Sequence, residues 1–317
     1  MKKLLVILLS SLLLLSTVAC GTKDETIVVG ICQLAKHPAL DAATQGFKDV
    51  LTEEFGDKVT IVEEIAAGEV NNCITICSGF VSDQVDLILA NATSALQVAA
   101  TATTEIPILG TSITEYGAAL NLDNFDGVTG RNISGTSDLA PLTEQAAMFK
   151  ELLPQAKTIG ILFCSSEVNS KYQVKVVSDE LKKLGFEVKE FPFSDTNDVG
   201  TVVAQATSEV DALFIPTDNT AASSSADIIH SFASKTNTPI IAGEEGIASK
   251  CGIATLSIDY YQLGRLTGEM AVKILKGEAD ISTMEIEYFP NPVKKFNKEI
   301  CQALSITVPE GYVAIGE

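Results

Sequence analysis

The chain repeats itself, and that repeat limits its fold more than any other feature. Thr26-Ile-Val-Val-Gly-Ile31 matches Lys157-Thr-Ile-Gly-Ile-Leu162. An amphipathic stretch follows each run. In residues 40–55, Leu40, Phe47, Leu51 and Phe55 recur at helical spacing; in residues 171–184, Tyr172, Val176, Val177, Leu181 and Leu184 do. This is the period of a helix that buries one face. Each helix leads to a second short apolar run, at 59–63 and 186–191, then through Asn-containing polar residues to another helix. Third runs fall at 85–90 and 210–215. Fourth runs, at 106–109 and 238–242, each carry a proline near the start.

The order is β-α-β-α-β-α-β, twice. Short apolar runs alternating with helices predict parallel sheets covered on both faces. The predicted class is therefore α/β: two doubly wound parallel-sheet lobes with a hinge and a ligand cleft between them. Ligands on such sheets bind outside the carboxyl ends of the strands, so pocket residues should follow the strands directly. Past Leu256 the pattern changes. Residues 259–276 predict a helix ending at Gly277, a C-cap signal, that returns to the first lobe. A strand is expected at 285–289 and a short helix at 297–304. Crossings between lobes are expected near 138–142, 255–259 and 280–284. The first lobe would then hold 26–138 plus about 257–282, and the second 139–256 plus about 283–317.

With 317 residues and a 46% hydrophobic fraction, the chain has material for two cores. Forty-one acidic residues against 22 basic ones give a net charge of -19, which repels phosphate backbones and disfavours nucleic acid. Arg131 and Arg265 are the only arginines, and tryptophan is absent. A strongly anionic ligand would therefore lack its usual guanidinium clamps.

The N-terminus reads as an export signal: Lys2 and Lys3, an apolar run over 4–15, then Ser16-Thr17-Val18-Ala19-Cys20-Gly21. The run falls short of the roughly 20 apolar residues of a membrane span. Its ending resembles a bacterial lipobox, with Thr17 where leucine is usual. The resemblance implies a signal peptide over 1–19, a lipidated Cys20 (diacylglycerol with palmitate-type acyl chains), a tether over 20–25, and an extracytoplasmic protein anchored to the bacterial cell membrane.

Further segments carry a second resemblance. GICQLAKHPAL (30–40), NISGTSD (132–138), CSSEVNS (164–170), PTDNT (216–220), AGEEG (242–246) and SIDYYQLG (257–264) are similar to ABC-transporter substrate-binding lipoproteins of the tryptophan/tyrosine-binding type. The likeness covers about residues 26–315. It departs at Cys164, where asparagine is common, and at Asn91-Ala-Thr-Ser94, where Ala-Thr-Pro is more usual. It implies a type I periplasmic-binding-protein fold, a small-molecule ligand, and an ABC permease with its ATPase as partner. Members with known ligands take aromatic amino acids.

The residues after each predicted strand supply the candidate contacts. Gln33 and His37 follow the first strand, and Asn91, Thr93 and Ser94 the third. Ser112, Thr114 and Tyr116 follow the fourth. In the second lobe, Ser165, Ser166, Asn169 and Ser170 follow the first strand, Thr217, Asp218, Asn219 and Thr220 the third, and Glu244 the fourth. Asp259 and Tyr260 start the crossing helix. Hydroxyls and free N–H groups at helix starts suit a carboxylate. An acid must pair an ammonium, since a buried unpaired charge costs several kcal/mol; Asp218 is the first choice, with Glu244 and Asp259 behind it. Tyr116 and Tyr260 are candidate walls for an apolar side chain, and equally fit as ordinary surface or core residues. Capping alone explains many of these residues equally well, Asp259 above all.

Hydrolase signatures and Gly-rich phosphate loops ending in lysine are absent, and the two histidines are His37 and His230, so an enzyme is not expected. No cofactor and no metal are expected. Cys73 and Cys77 sit four apart on a predicted helix, and two small buried residues on one helix face explain them better than a zinc site needing about four ligands. Cys32, Cys164, Cys251 and Cys301 show no disulfide-framework spacing. The alternatives are an extracellular sensor that passes its bound state to a membrane receptor, or a binder of a sugar or nucleoside.

Overall fold

The structure is a computed structural model and describes residues 26–316. The export segment, Cys20 and the tether lie outside the described residues. In chain order the first half gives β1 (Ile27–Gln33), α1 (Pro38–Phe55), β2 (Val59–Ile65), α2 (Val70–Ser82), β3 (Leu87–Asn91), α3 (Thr93–Ala102), β4 (Ile108–Ile113), α4 (Tyr116–Leu120) and β5 (Ile133–Ser137). The second half gives α5 (Leu142–Leu152), β6 (Thr158–Cys164), α6 (Val168–Lys183), β7 (Glu187–Phe193), α7 (Val199–Glu209) and β8 (Ala212–Ile215). A π-type turn over Ala221–Ser225 runs into α8 (Ala226–Thr236), followed by β9 (Ile240–Ala242), α9 (Glu245–Cys251) and β10 (Ala254–Ser257). The tail holds α10 (Tyr260–Leu275), β11 (Glu287–Tyr288), β12 (Val293–Phe296), α11 (Lys298–Ala303) and β13 (Val313–Ala314).

Two sheets result, ordered β11-β5-β4-β3-β1-β2 and β13-β12-β10-β9-β8-β6-β7. The repeat is visible in both: the first strand of each half sits between its second and third. Pairing is parallel except where β12 runs antiparallel to β10. Side chains alternate across a strand, and both faces of each sheet are buried. Val29 and Ile31 face α1 and α10, whereas Cys32 joins the core under α2 and α3. In the second lobe, Ile159 and Ile161 pack toward α5 and α6, and Leu162 and Cys164 toward α7 and α8.

The chain crosses between sheets after β5, after β10 and after β11. The third crossing therefore lies over 289–292, not near 280–284. Residues 283–288 stay with the first lobe: β11 pairs with β5, the Ser134 hydroxyl donates to the Met284 carbonyl at 3.1 Å, and Ile286 N–H donates to Gly127 O at 2.8 Å. The boundary near 282–283 moves accordingly, because a strand of two residues is set by the neighbour it pairs with and not by its own pattern. Five strands, β5, β10, β11, β12 and β13, extend the four per lobe, and of these β11 answers the strand expected at 285–289.

Returning to the first lobe, α10 lies against α1 with backbones almost in contact. A side chain on Gly46 would strike the Tyr261 carbonyl, and one on Gly264 the Ala43 carbonyl. Arg265 forks onto Glu53 at 2.8 and 3.0 Å, and the Tyr261 hydroxyl donates to Asp49 at 2.8 Å.

Candidate ligand-binding site

Carboxyl-terminal strand ends from both sheets meet across the interlobe space. α3 and α4 of the first lobe lie against α6 of the second, and His37 Nε2 stands 3.4 Å from Asn219 Oδ1. The lobes are thus in contact around the site.

On the first lobe, Gln33 ends β1 and is fully engaged. Its amide donates to Ala35 O and to Asp41, each at 2.7 Å, and its carbonyl accepts from Thr44 at 2.7 Å. Asn91 ends β3 and donates to Leu40 O and Thr44 Oγ1, both at 2.9 Å. These bonds fix the start of α1 against the sheet. Three buried atoms at this edge have no partner within the chain: His37 Nδ1, Asn91 Oδ1 and Ser112 Oγ. Burial holds His37 below the ordinary histidine pKa, partly offset by Asn219.

The backbone at this edge is strained. Ala92 takes φ 89° and Ser112 φ 56°, both in the region that favours glycine. At Ala92 the chain turns sharply into α3, whose first turn carries Thr93 and Ser94 and receives no side-chain cap. Four N–H groups at a helix start lack internal partners, and here the macrodipole adds to them. Thr114 is buried beside Ser112. Of its two readings, ligand wall or core residue, Tyr116 takes the second. It is 1% exposed, with its hydroxyl within bonding distance of Gly110 O (3.0 Å) and Thr136 O (3.1 Å).

The second lobe is capped by acids. Glu167 accepts from Asn219 and Thr220, backbone and side chain alike, at 2.8 to 3.0 Å, and from the Asn169 amide at 3.1 Å. Asp218 accepts from Cys164 N–H at 2.7 Å, the Ser170 hydroxyl at 2.8 Å and Ala221 N–H at 2.8 Å. Burial, aided by the charge of Glu167, pushes Asp218 up to about 7. Thr217 is held through its backbone by Gln173 (N–H to Oε1, 3.0 Å) and by Asn169, whose amide donates to Thr217 O at 2.9 Å. The hydroxyls of Ser165 and Ser166 do not cap α6. That of Ser165 donates to Phe193 O at 3.0 Å, and that of Ser166, on an exposed residue, meets Cys164 Sγ at 3.0 Å.

Glu244 and Glu115 occupy equivalent places in the repeat, each capping the helix after the fourth strand. Glu244 accepts from Gly246 N–H at 2.6 Å and from Ile247 N–H; burial pushes it up to about 7. Asp259 is exposed and caps α10 through Gln262 N–H at 3.0 Å. Tyr260 is buried, and its hydroxyl donates to Asp138 Oδ2 at 2.9 Å.

A cavity of about 590 Å³ opens on the hinge side. Pro38, Ala39 and Ala42 line it from the first lobe, Glu244 and Glu245 from the second, and Ile258 to Tyr261 and Phe289 from the crossings. It reaches Glu244, Asp259 and Tyr260 of the candidate set, but not the polar group at Asn91, Thr93 and Ser112. That second group sits where strand ends of both lobes converge, the position expected on such sheets.

Sequence reasoning passed over Asp138 and Glu167. Asp138 closes the NISGTSD segment, and an acid placed at a predicted crossing was the available signal. Among the described residues no group of three or more His, Cys, Asp or Glu side chains is placed to hold a metal ion. Cys73 and Cys77 face the core and meet Cys32 there. Among the described residues, no helix is long and apolar enough to cross a membrane.

Residues 28–315 match the family profile described as ABC transporter substrate binding protein. A tyrosine-binding protein of Clostridioides difficile is 38% identical over 257 residues, covering 79% of this chain and 73% of that protein. The structure of an ABC domain from Streptococcus pneumonia in complex with L-Trp superposes with a TM-score of 0.86 at 34% identity, covering 92% of this chain and 100% of that one. A ligand-free, open substrate-binding protein with adhesive properties from Clostridium difficile gives 0.70 at 36% identity, covering 91% and 99%.

Proposed function

The chain belongs to the ABC transporter substrate-binding proteins, an extracytoplasmic family of binding proteins and not of enzymes; from that premise we propose that it captures a free amino acid with an aromatic or large apolar side chain and delivers it to a permease and its ATPase. The observation that carries this reading is the uncapped start of α3 beside the unpartnered Ser112 hydroxyl. A carboxylate bound there is met by helix N–H groups, by Thr93 and Ser94, and by Ser112. Thr217 and Asn219 close on it from the second lobe. A zwitterion suits this arrangement because it needs no guanidinium, and Arg265 is committed to Glu53. Relatives that bind tyrosine and tryptophan support the side-chain class.

The test is a thermal-shift and calorimetry panel of the mature chain against the common amino acids, sugars and nucleosides. A ligand that binds only the folded state raises its melting temperature by mass action. Tryptophan, tyrosine or another large apolar amino acid should give the largest shift. A response to a sugar or nucleoside, with none to any amino acid, overturns the ligand class.

The same reading places the protein on the membrane through lipid on Cys20. Two acyl chains are about what stable anchoring takes. Cys20→Ser should move the protein from the membrane fraction to the medium; a variant that stays membrane-bound refutes the anchor.

A further inference from the structure

We infer that Asp138, at the first crossing between lobes, is the carboxylate that receives the ligand's ammonium group. This rests on the amino-acid reading above and names the partner that such a ligand requires.

Each acid nearer the strand ends is already occupied. Asp218 takes three donors, Glu244 caps α9 with two N–H groups, and Asp259 caps α10 from an exposed position. Asp138 differs. It is 5% exposed, its Oδ2 accepts from the Tyr260 hydroxyl at 2.9 Å, and its Oδ1 has no partner within the chain. Its own N–H is fixed to Ile113 O at 3.1 Å, so the carboxyl is held at the end of β5.

The Tyr260 hydroxyl, the Thr114 hydroxyl and the backbone all lower this carboxyl's pKa, but Thr114 makes no hydrogen bond of acceptable geometry to it, and no lysine, arginine or histidine is among the groups that act on it. Burial pushes up Tyr116, Tyr260 and the Glu244 carboxyl of the second lobe, and the negative charge of Asp138 adds to each shift. Burial lifts Asp138 itself to about 6. Among the described residues, Asp138 and Glu244 are thus buried carboxylates at the hinge, one on each side of the cleft, and no cation is among the groups that act on either. Leaving a buried charge unpaired is costly, and a primary ammonium placed at Oδ1 removes that cost. The same contact brings Glu244, across the cleft, toward a shared positive charge, which favours closure.

The experiment is calorimetry with L-tryptophan, L-tyrosine and their desamino analogues, 3-(indol-3-yl)propanoate and 3-(4-hydroxyphenyl)propanoate. Wild type should bind the better amino acid at least 100-fold more tightly than its desamino analogue. Asp138→Asn, which retains an acceptor for Tyr260, should lose most of that discrimination while melting as a folded protein. A variant that keeps wild-type affinity and discrimination overturns the inference and leaves the amino-acid reading standing. Wild type that binds no amino acid overturns both. A second measurement needs no variant. Wild-type titrations at pH 6.5 in buffers of different ionisation enthalpy should show more proton release with the amino acid than with its desamino analogue, because an ammonium beside Asp138 and Glu244 favours their charged forms while the shared carboxylate acts on His37 alike in both. Equal proton release with the two ligands also overturns the inference.

Discussion

Asp218 and Asp138 show how far a residue's role can be read before its neighbours are known. PTDNT marks a polar strand end, and an acid there is a reasonable ammonium partner. The structure instead has Asp218 binding Cys164, Ser170 and Ala221 together, joining the end of β6 to the π-type turn that opens α8. NISGTSD also ends in an acid, but its isolation is a property of packing, which no local pattern carries. The buried acids have a consequence for pH. Asp138 is raised to about 6, and Asp218 and Glu244 to about 7, each chiefly by burial. An acid raised in the folded state binds its proton more tightly there than in the unfolded chain. Its contribution is therefore full below the unfolded value and is lost as pH rises through the folded value. His37, lowered by burial, acts in the opposite sense and gains stability as pH rises through the ordinary histidine range. Comparing Asp138→Asn with wild type cancels the terms of Asp218 and His37, on which Asp138 does not act. In the ligand-free protein the variant should gain about 2 kcal/mol of stability relative to wild type between pH 4.5 and pH 7.5, the part of the roughly 3 kcal/mol for the shift from 3.8 to about 6 that develops in that window. Urea denaturation at pH 4.5 and pH 7.5 measures it, and a constant difference between the two proteins contradicts the burial argument.

Among the elements, long helices and buried apolar strands were legible because their periodicity is strong: α1, α6 and α10 lie within a few residues of expectation. β5 (ISGTS), β10 (ATLS), β12 (VKKF) and β13 were not legible. They are short and rich in small or charged residues, and their strand character comes from the neighbours they pair with. The close approach of α1 and α10 was also invisible as such, since glycines inside helical patterns read only as weak positions. Here they allow backbone contact. Gly264→Ala should force the two helices apart and destabilise the protein by about 1–3 kcal/mol, the usual cost of overpacking. Gly79→Ala is the matched control. It lies inside α2 with nothing within 4 Å of the added carbon, so it should stabilise by about 0.5–1 kcal/mol through helix propensity alone. Denaturation of the two variants beside wild type decides, and equal effects at both positions would remove steric approach as the cause.

At the scale of the whole molecule, the duplication supplies two rigid lobes, and the three crossings supply the only covalent links between them. Tyr260 and Asp138 bond the second crossing to the first, so the hinge has its own polar contact, and this contact lies beside the candidate site. Across the cleft the direct polar contact is long, His37 to Asn219 at 3.4 Å, while three buried polar atoms on the first-lobe edge have no partner in the chain. Among the described residues, lobes held in contact by so little direct polar bonding, with unpaired groups between them, are poorly favoured in that arrangement without a ligand. A ligand that touches both lobes binds the closed state better and shifts the population toward it by its differential affinity. Small-angle scattering should therefore show a larger radius of gyration for the ligand-free chain and a smaller one at saturation with the amino acid that gives the largest thermal shift. His37→Ala removes the cross-cleft contact but none of the groups assigned to the ligand's charges, so it should shift the ligand-free population further open yet still compact when saturated. A radius unchanged by ligand in wild type contradicts hinge closure. A variant that no longer compacts at saturation would show that the His37 contact, and not the ligand, holds the lobes together.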